Sequence, residues 1–482
     1  MSSGKMDSET AEIEPAKIPG NYMARKNQRW VPASPQQTHN FLDSDAIHQN
    51  IPKSHVSPAQ MYSTDSGKLY HAGSICIVLV GLPGRGKTNL SIGLCRYLRW
   101  LGVRTQLFHL SDYRRKKETS VSHQYFESLP SDANLLKFKL QLRERAIEDM
   151  VDYFKNQDGQ IAIYDAINGS CSERLEMNEY FEKNNVKCLF IESTIDDDEL
   201  LKANIKDAIK SPDYIDWEKT DAIIDFEKRI HHSEKKYEPL NENSLAYIKT
   251  INFGEKILIN ELKHDFLITK IIFYILNTKI KSHSIYFARC SLNTLAFKAD
   301  PDITQGGKDF IKKIYCTLSS DYKDEIPKDL MVWTSTRLRT MQSSQIFKDL
   351  GLRVKHRPEL TQLNPGAAEG LNDDYLQEKM PEDFEKHMQD PYHHRYPRGE
   401  SYHDLALKIE PLILEMEKAS NDVLIIADET ITRIFYGYLM ASNANDIPFI
   451  EFPKNEIIKI SYHAYGNIAK RLIVEGVELD QI

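Results

Sequence analysis

The chain has 482 residues, 41% of them hydrophobic and 10% aromatic, a length that favours two domains rather than one. It carries 62 basic and 70 acidic residues, and this net charge of −8 gives no overall positive field to attract nucleic acid. No apolar run approaches the ~20 residues of a membrane span, and the first residues, MSSGKMDSETAEIEP, contain no apolar signal core. We therefore expect a soluble, cytoplasmic protein without nucleic-acid or membrane partners.

Residues 1–72 differ in composition from the rest of the chain. Stretches such as KNQRWVPASPQQTHNF are polar, contain proline and show no hydrophobic periodicity. Such segments cannot bury enough apolar surface to offset the entropy lost on ordering. We predict that residues 1–72 form a mostly disordered N-terminal tail.

A first set of apolar segments predicts a parallel sheet in residues 73–281. The candidate strands are short and rich in β-branched residues, and they lie at residues 74–81, 105–110, 161–166 and 188–193. Helical segments separate them, including LLKFKLQLRERAIEDMVDYFKNQ. Strands that alternate with helices favour an α/β domain.

A second unit that starts with a strand opens at residue 282. Further strands are predicted at residues 330–335, 422–428 and 456–466. A long helix is predicted at 401–419, between the first and the second of these strands. We therefore predict a second α/β domain over residues 282–482, with the domain boundary just after the helical stretch HDFLITKIIFYILNTKI.

The stretch VLVGLPGRGKTNL contains the pattern G-x-x-x-x-G-K-[ST] between a predicted buried strand and a predicted helix, the context that a P-loop requires. In such a loop, backbone N–H groups surround the β-phosphate, the lysine neutralises the β/γ oxygens and the hydroxyl binds Mg²⁺. A turn that matches the pattern by chance is the alternative. The predicted nucleotide-binding residues are Gly81, Leu82, Pro83, Gly84, Arg85, Gly86, Lys87, Thr88 and Asn89.

Asp165 ends the apolar segment IAIYDA and is the candidate second ligand of the metal. An aspartate in this position could equally cap the N-terminus of the following helix. Together with the P-loop, Asp165 predicts an ATP- and Mg²⁺-dependent site in which Lys87 and Asp165 are catalytic and Thr88 and Asp165 hold the metal.

Taken together, the motifs resemble the bifunctional 6-phosphofructo-2-kinase/fructose-2,6-bisphosphatase family. The resemblance covers residues 74 to about 470 and includes DYRRK, YDAIN, SPDY, LAYIKTINFGEK, VWTSTRLRTMQ, GAAEGL and HRYPRGESYHDLALKIEPLILEMEK. It implies a P-loop kinase domain with a parallel sheet, followed by an α/β domain of the histidine-phosphatase (phosphoglycerate-mutase-like) fold. It also implies ATP, fructose 6-phosphate and fructose 2,6-bisphosphate as ligands, and pairing as a homodimer or with homologues through the kinase domain.

In the kinase half, the resemblance assigns sugar-phosphate contacts to Arg114, Lys139 and Arg229 and a nucleotide contact to Asn204. Lys139 keeps the charge of an arginine but loses its forked geometry. Other positions depart from the pattern: Ile167 replaces a sugar-contacting threonine, Glu173 replaces a sugar-binding arginine and Ser233 replaces a tyrosine. We therefore expect ATP binding to survive better than use of the sugar.

In the phosphatase half, the resemblance points to a remnant site. Its members are Arg289, Cys290, Arg339, Glu369, Asp428 and Arg433. Cys290 replaces the histidine that accepts the phosphoryl group, Asp428 replaces the second histidine, and Glu369 matches the proton donor. The loss of a covalent nucleophile normally costs orders of magnitude in rate, so we predict that hydrolysis is lost.

Three functions remain open from the sequence. The first is a 6-phosphofructo-2-kinase of weak activity with an inactive phosphatase. The second is a nucleotide-binding pseudoenzyme that acts as a regulatory or scaffold subunit and pairs with active relatives. The third is a P-loop kinase for another acceptor, which the apolar Ile167 and the acidic Glu173 suggest.

Overall fold

The computed structural model describes residues 43–63, 73–117, 133–260, 265–279, 283–290, 297–463 and 465–477. These residues form two α/β domains, each built around its own sheet. Within the described ranges, no helix is both long enough and apolar enough to cross a membrane.

The first domain contains a six-stranded sheet in the order β3-β4-β2-β5-β6-β7, parallel except for β7 at one edge. Its strands are β2 (Ser74–Val80), β3 (Thr105–His109), β4 (Ile161–Asp165), β5 (Val186–Thr194), β6 (Tyr247–Ile251) and β7 (Lys256–Asn260). Its helices are α1 (Lys87–Leu101), α2 (Leu110–Lys117), α3 (Ala133–Asn156), α4 (Cys171–Lys183), α5 (Asp198–Ala208), α6 (Lys219–Glu234) and α7 (Phe266–Leu276), with a 3₁₀ turn at Pro212–Tyr214.

The central position of β2 follows from its sequence, SICIVLV, which is buried along almost its whole length between β4 and β5. In a parallel sheet the carboxyl ends of neighbouring strands meet at one edge, where α/β proteins bind ligands. The register pairs His109 at the end of β3 with Asp165 at the end of β4. The loop that follows β2 therefore lies beside these two side chains.

The second domain contains a seven-stranded sheet in the order β1-β13-β12-β8-β11-β9-β10. Its strands are β1 (Asp43–Ser44), β8 (Ser284–Arg289), β9 (Met331–Thr334), β10 (Arg353–His356), β11 (Val423–Ala427), β12 (Glu456–His463) and β13 (Gly466–Ile473). Its helices are α8 (Gln305–Asp321), α9 (Leu338–Ser343), α10 (Gln345–Asp349), α11 (Asp373–Lys379), α12 (Pro381–Gln389), α13 (Tyr402–Lys418) and α14 (Glu429–Leu439). The 3₁₀ turns are Pro358–Leu360, Gly366–Ala368 and Ala444–Phe449.

The predicted strand at 456–466 is wrong at its carboxyl end. The strand ends at His463, and β13 returns antiparallel to it from Gly466, so that His463 and Gly466 face each other in the register. Gly466 has a φ of 131°, a conformation that favours glycine, and it marks the turn. Tyr465 lies at the tip of this hairpin and projects towards the first domain.

The prediction of disorder over residues 1–72 is wrong for residues 43–63, which pack against both domains. β1 pairs with β13, and Ile47 and Ala59 are almost fully buried. The buried carboxylate of Asp45 accepts a hydrogen bond of 2.7 Å from the guanidinium of Arg96 on α1. A buried arginine needs such a partner, which the polar composition of the segment provides. Residues 1–42 and 64–72 lie outside the described part of the chain.

The two domains share a continuous core between α1 and α7 on one side and α13 and α14 on the other. The ring of Trp100 meets that of Tyr438 edge to face at 5.6 Å. Glu410 on α13 accepts hydrogen bonds from Tyr97 at 2.8 Å and Lys270 at 3.1 Å. This packing fixes the tip of the β12–β13 hairpin over the carboxyl edge of the first sheet.

Candidate active site

The P-loop begins where β2 ends and leads directly into α1. Gly86 precedes the first residue of α1 with a φ of 74°, a left-handed conformation that costs other residues energy. A Cβ atom added at Gly86 would lie 2.0 Å from the Phe253 ring, and one at Gly81 would lie 2.6 Å from the carbonyl oxygen of Ser193. The loop is therefore tightly packed on its outer side, and the N-terminus of α1 faces the cavity as a site for phosphate.

Lys87 is the first residue of α1, and its side chain folds back over the loop. Its Nζ donates a hydrogen bond of 2.8 Å to the carbonyl oxygen of Leu82. Burial lowers the pKa of Lys87 to about 8, although the charge of Asp165 acts in the opposite direction. The ammonium group is therefore positioned where a phosphate chain in the loop would meet it.

Thr88, Asp165 and His109 form one hydrogen-bonded group. The hydroxyl of Thr88 donates to Oδ2 of Asp165 at 2.6 Å, and Nδ1 of His109 lies 2.9 Å from the same oxygen. Burial alone would raise the pKa of Asp165, but the contacts with His109, Lys87 and Thr88 hold it below its usual value. The result is a buried carboxylate beside a hydroxyl, two hard oxygen donors that suit Mg²⁺.

The alternative role of Asp165 as a helix cap does not hold, because α4 begins six residues later with Ser170 as its N-cap. His109 was not predicted as a site residue. It ends β3 and contacts Asp165 only through the pairing of β3 with β4, which a linear pattern does not reveal.

A cavity of about 470 Å³ opens in front of the P-loop. Six of the nine loop residues that were predicted to bind nucleotide line it, namely Pro83, Gly84, Gly86, Lys87, Thr88 and Asn89. Asn204 on α5 also lines it and donates a hydrogen bond of 3.0 Å to the carbonyl oxygen of Gly84. Gly81, Leu82 and Arg85 support the loop from behind; the carbonyl oxygen of Arg85, for example, accepts from Ser193 at 2.6 Å.

Several arginines surround one buried acid, Asp213, in the wall of the cavity. Asp213 accepts a hydrogen bond of 2.5 Å from Arg114 and one of 3.2 Å from Arg115, and Arg229 lies 3.9 Å away. Burial would raise the pKa of Asp213, but the arginines, Arg114 first, hold it below its usual value. Arg114 and Arg229, predicted to bind a sugar phosphate, therefore share one wall of the cavity.

α3 and the start of α4 also line the cavity. Lys139 lines the cavity as predicted, and so do the two departures Ile167 and Glu173. Arg143, which was not predicted, lies one helical turn after Lys139 and contacts Glu173. Its signal was available, because residues four apart on a helix share a face.

The second domain also contributes to this cavity. Tyr465 at the hairpin tip lines it, and the guanidinium of Arg115 lies 5.2 Å from the centre of the Tyr465 ring. His48 from the N-terminal segment holds the tip through a contact of 2.7 Å between its Nε2 and the carbonyl oxygen of Tyr465. No motif in the kinase half indicates that Tyr465, which lies 300 positions after Asp165, lines the cavity.

The remnant phosphatase site lies at the carboxyl ends of β8 and β11. Arg289 donates a hydrogen bond of 2.8 Å to one oxygen of Glu429, and Arg433 donates one of 2.7 Å to the other. Arg289 also donates to the carbonyl oxygen of Phe452 at 3.1 Å. Two of the three arginines of the predicted remnant site, Arg289 and Arg433, are thus paired with a carboxylate of the same chain.

Cys290 and Asp428, the two residues predicted to replace histidines, have the following contacts. Asp428 accepts a hydrogen bond of 3.1 Å from the backbone N–H of Thr430 and caps the N-terminus of α14. Cys290 is almost fully buried, and burial together with the charge of Asp428 raises the pKa of its thiol to about 12. A thiol with such a pKa is not a nucleophile at neutral pH.

This pKa predicts that Cys290 resists alkylation. At pH 8 a thiol with a pKa of about 12 is ionised to about one part in 10,000, against roughly a quarter for an ordinary cysteine. We expect iodoacetamide to label the exposed Cys316 at least a thousandfold faster than Cys290, as followed by peptide mass spectrometry of the native protein. Labelling of both thiols at similar rates would show that Cys290 is reactive.

Arg339 and Glu369 complete the predicted remnant. Arg339 is buried and donates a hydrogen bond to the side chain of Gln362. Glu369 accepts a hydrogen bond of 2.7 Å from the backbone N–H of Lys298, which lowers the pKa of its carboxyl. A general acid needs a raised pKa at neutral pH, so Glu369 is poorly suited to donate a proton.

Comparison with known proteins agrees with this arrangement. The family described as 6-phosphofructo-2-kinase matches residues 62–282, and the histidine phosphatase superfamily (branch 1) matches residues 264–474. A Saccharomyces cerevisiae protein named "Putative 6-phosphofructo-2-kinase/fructose-2,6-bisphosphatase" is 37% identical over 96% of each chain. The human 6-phosphofructo-2-kinase/fructose-2,6-bisphosphatases 4 and 1 are 34% and 31% identical, over 81% of this chain and 83% and 82% of theirs. The chain therefore belongs to the 6-phosphofructo-2-kinase/fructose-2,6-bisphosphatase family.

Proposed function

We propose that the chain is an ATP- and Mg²⁺-dependent 6-phosphofructo-2-kinase of low activity, whose second domain does not hydrolyse the product. The proposal is supported by one cavity that is lined both by Lys87, Thr88 and Asp165 and by Arg114 and Arg229. A phosphate-binding loop and further basic side chains in one cavity suit a nucleotide and a phosphorylated acceptor.

In the proposed reaction, the P-loop N–H groups and Lys87 hold the β- and γ-phosphates of ATP. Thr88 and Asp165 would hold Mg²⁺, which neutralises charge on the phosphates when bound. Arg114 and Arg229 would bind the 6-phosphate of fructose 6-phosphate and so orient its 2-hydroxyl. The hydroxyl oxygen then bonds to the γ-phosphorus and its proton is released to solvent, the bond from the γ-phosphorus to the β–γ bridging oxygen breaks, and ADP and fructose 2,6-bisphosphate are formed.

The low activity in this proposal follows from the acceptor wall. Ile167 is 37% exposed at the cavity and offers no hydroxyl to the sugar, while Glu173 places a negative charge on the same wall. Each lost charge-assisted hydrogen bond costs about 1.5–3 kcal/mol, or roughly ten- to a hundredfold in affinity. We therefore expect a raised KM for fructose 6-phosphate rather than a defect in ATP binding.

The experiment that tests the kinase proposal is formation of fructose 2,6-bisphosphate by the purified chain with Mg-ATP and fructose 6-phosphate. The matched control is Lys87→Ala, which removes the ammonium group from the P-loop. The proposal expects product from the native chain and none from the variant. ATP binding without any product would leave the chain as a nucleotide-binding protein, and ATP turnover with other sugars alone would indicate another acceptor.

For the second domain, the proposal of lost hydrolysis rests on Glu429. Its carboxylate occupies Arg289 and Arg433, so a substrate phosphate would meet an occupied and partly neutralised arginine pair. Neither Cys290 nor Asp428 has the imidazole with which the family accepts the phosphoryl group. A substrate phosphate would therefore find neither free arginines to bind it nor an imidazole to accept its phosphoryl group.

This pairing predicts that Glu429→Gln restores anion binding. The variant loses the internal carboxylate, and we expect 10 mM inorganic phosphate to raise its melting temperature by about 2–4 °C more than that of the native chain, whose P-loop can also bind phosphate. Glu415→Gln is the control, because Glu415 also pairs with two basic side chains, Lys355 and Arg357, at nearly the same exposure. An equal response of both variants would show that the effect is not specific to the remnant site.

A second candidate function, a subunit that pairs with itself or with active homologues, is favoured by the edge of the first sheet. The edge strand β7 exposes Leu258 by 57% and Ile259 by 50%, and an exposed apolar edge strand is a surface for pairing. Sedimentation of the native chain and of Leu258→Lys tests this role. A dimer that dissociates in the variant supports it, and a native monomer that does not bind an active homologue contradicts it.

A further inference from the structure

The cavity carries more positive than negative charge. Among the described residues that line it, six are basic and four are acidic. Three of the basic residues are arginines, namely Arg114, Arg143 and Arg229. A cavity with this balance favours an anionic ligand, and the arginine whose charge is least compensated should attract it most.

The carboxylates near these arginines differ in exposure. Arg114 and Arg229 share Asp213, whose side chain is only 4% exposed. Arg143 faces Glu173, whose side chain is 47% exposed. An ion pair with a solvated carboxylate is weak, whereas a buried carboxylate compensates its partner strongly. Arg143 is therefore the one of the three arginines whose carboxylate partner is solvated, so a ligand can compete for it most easily.

The position of Arg143 is nevertheless well defined. Its Nη2 donates a hydrogen bond of 3.1 Å to the backbone carbonyl oxygen of Glu173, and its Nη1 lies 3.5 Å from the Glu173 carboxylate. The side chain is only 20% exposed. A guanidinium group has five N–H donors, more than these two contacts require. The start of α4 thus holds the group against the cavity while donors remain for a ligand.

We propose that Arg143 and Lys139 bind the 6-phosphate of the acceptor together with Arg114 and Arg229, and that Glu173 orients Arg143. The two basic residues lie four apart on α3, so their side chains reach the same part of the cavity. The inference rests on the proposed function, because it assigns a residue to the acceptor end of that site. It also assigns Glu173 a supporting role, although its charge alone would oppose an anionic ligand.

The test is the affinity for fructose 6-phosphate, measured by calorimetry on the full chain in the presence of Mg²⁺ and a non-hydrolysable ATP analogue. We expect Arg143→Ala to weaken binding about ten- to a hundredfold without changing the affinity for the nucleotide analogue. Arg145→Ala is the matched control, since Arg145 lies on the same helix but pairs with Glu148 and Asp149 at 63% exposure. The control should bind like the native chain.

A rescue variant separates binding from mere folding. Arg143→Ala combined with Glu173→Arg places a guanidinium on the opposite side of the same contact, and we expect it to regain most of the lost affinity. Failure of the rescue, or binding by Arg143→Ala within twofold of the native chain, would overturn the assignment of Arg143. Absence of any binding by the native chain would instead overturn the proposed acceptor site as a whole.

Discussion

Replacement of Asp165 by asparagine is expected to lower the rate of fructose 2,6-bisphosphate formation by about 100- to 1000-fold. Asparagine keeps the shape of the side chain and can still accept the hydrogen bond that Thr88 donates at 2.6 Å. It lacks the negative charge that the site needs to hold Mg²⁺ against the phosphates. The variant should therefore also lose the Mg²⁺ dependence of ATP binding, which calorimetry with and without Mg²⁺ would show.

The matched control for this change is Asp149→Asn. Asp149 accepts a hydrogen bond of 3.1 Å from Tyr113 and pairs with Arg145, away from the P-loop. We expect this control to keep the native rate. An Asp165→Asn variant that formed product at the native rate would remove Asp165 from the proposed mechanism.

The second large effect is expected for Gly86→Ala. Alanine at a φ of 74° costs about 1–2 kcal/mol, and its Cβ would overlap the Phe253 ring at 2.0 Å. Relief of this overlap must displace either the ring or the P-loop. We therefore expect a lower melting temperature and loss of measurable ATP binding, followed by thermal unfolding with and without Mg-ATP.

For the control variant Gly306→Ala we expect the opposite change in stability. Gly306 lies in α8, where an added Cβ would meet no atom within 4 Å and no positive φ is required. Alanine should stabilise the helix by about 0.5–1 kcal/mol and leave nucleotide binding unchanged.

If Gly86→Ala bound ATP like the native chain, the tight packing of the P-loop against Phe253 would not matter for nucleotide binding.

The sequence predicted the family and the two α/β domains, and both predictions are confirmed. Buried parallel strands such as β2 and β11 are continuous apolar runs, which are easy to recognise. The strand β6 and the edge strand β7 were missed because half-exposed strands carry a weaker pattern. The N-terminal segment was misjudged because its order comes from the surface of α1 and β13, not from its own composition.

The candidate site shows a similar limit. The P-loop, Asp165, Arg114, Lys139 and Arg229 follow from local patterns and from resemblance, and the structure brings all of them to one cavity. His109 and Tyr465 could not be predicted, because strand pairing and domain packing place them there. Arg143 was overlooked although its spacing from Lys139 was visible, since the resemblance directed attention to the positions that the family uses.

The prediction of a remnant phosphatase site came from the resemblance, whereas the structure adds the contacts that its residues make. The sequence indicated Cys290 and Asp428 as losses, but it did not indicate that Glu429 would pair with both Arg289 and Arg433. That pairing depends on the approach of β8 to the start of α14. Inactivity of this half, the cytoplasmic location, the absence of nucleic-acid partners and the domain limits stay predictions.

We propose that this chain makes fructose 2,6-bisphosphate and does not hydrolyse it. One time course tests both parts: the purified chain is given Mg-ATP and fructose 6-phosphate, and ATP and ADP are then removed together by desalting. We expect product to accumulate slowly and then to persist at a constant level. Failure of product to accumulate, or its decay after ATP is removed faster than in a protein-free control, would contradict it.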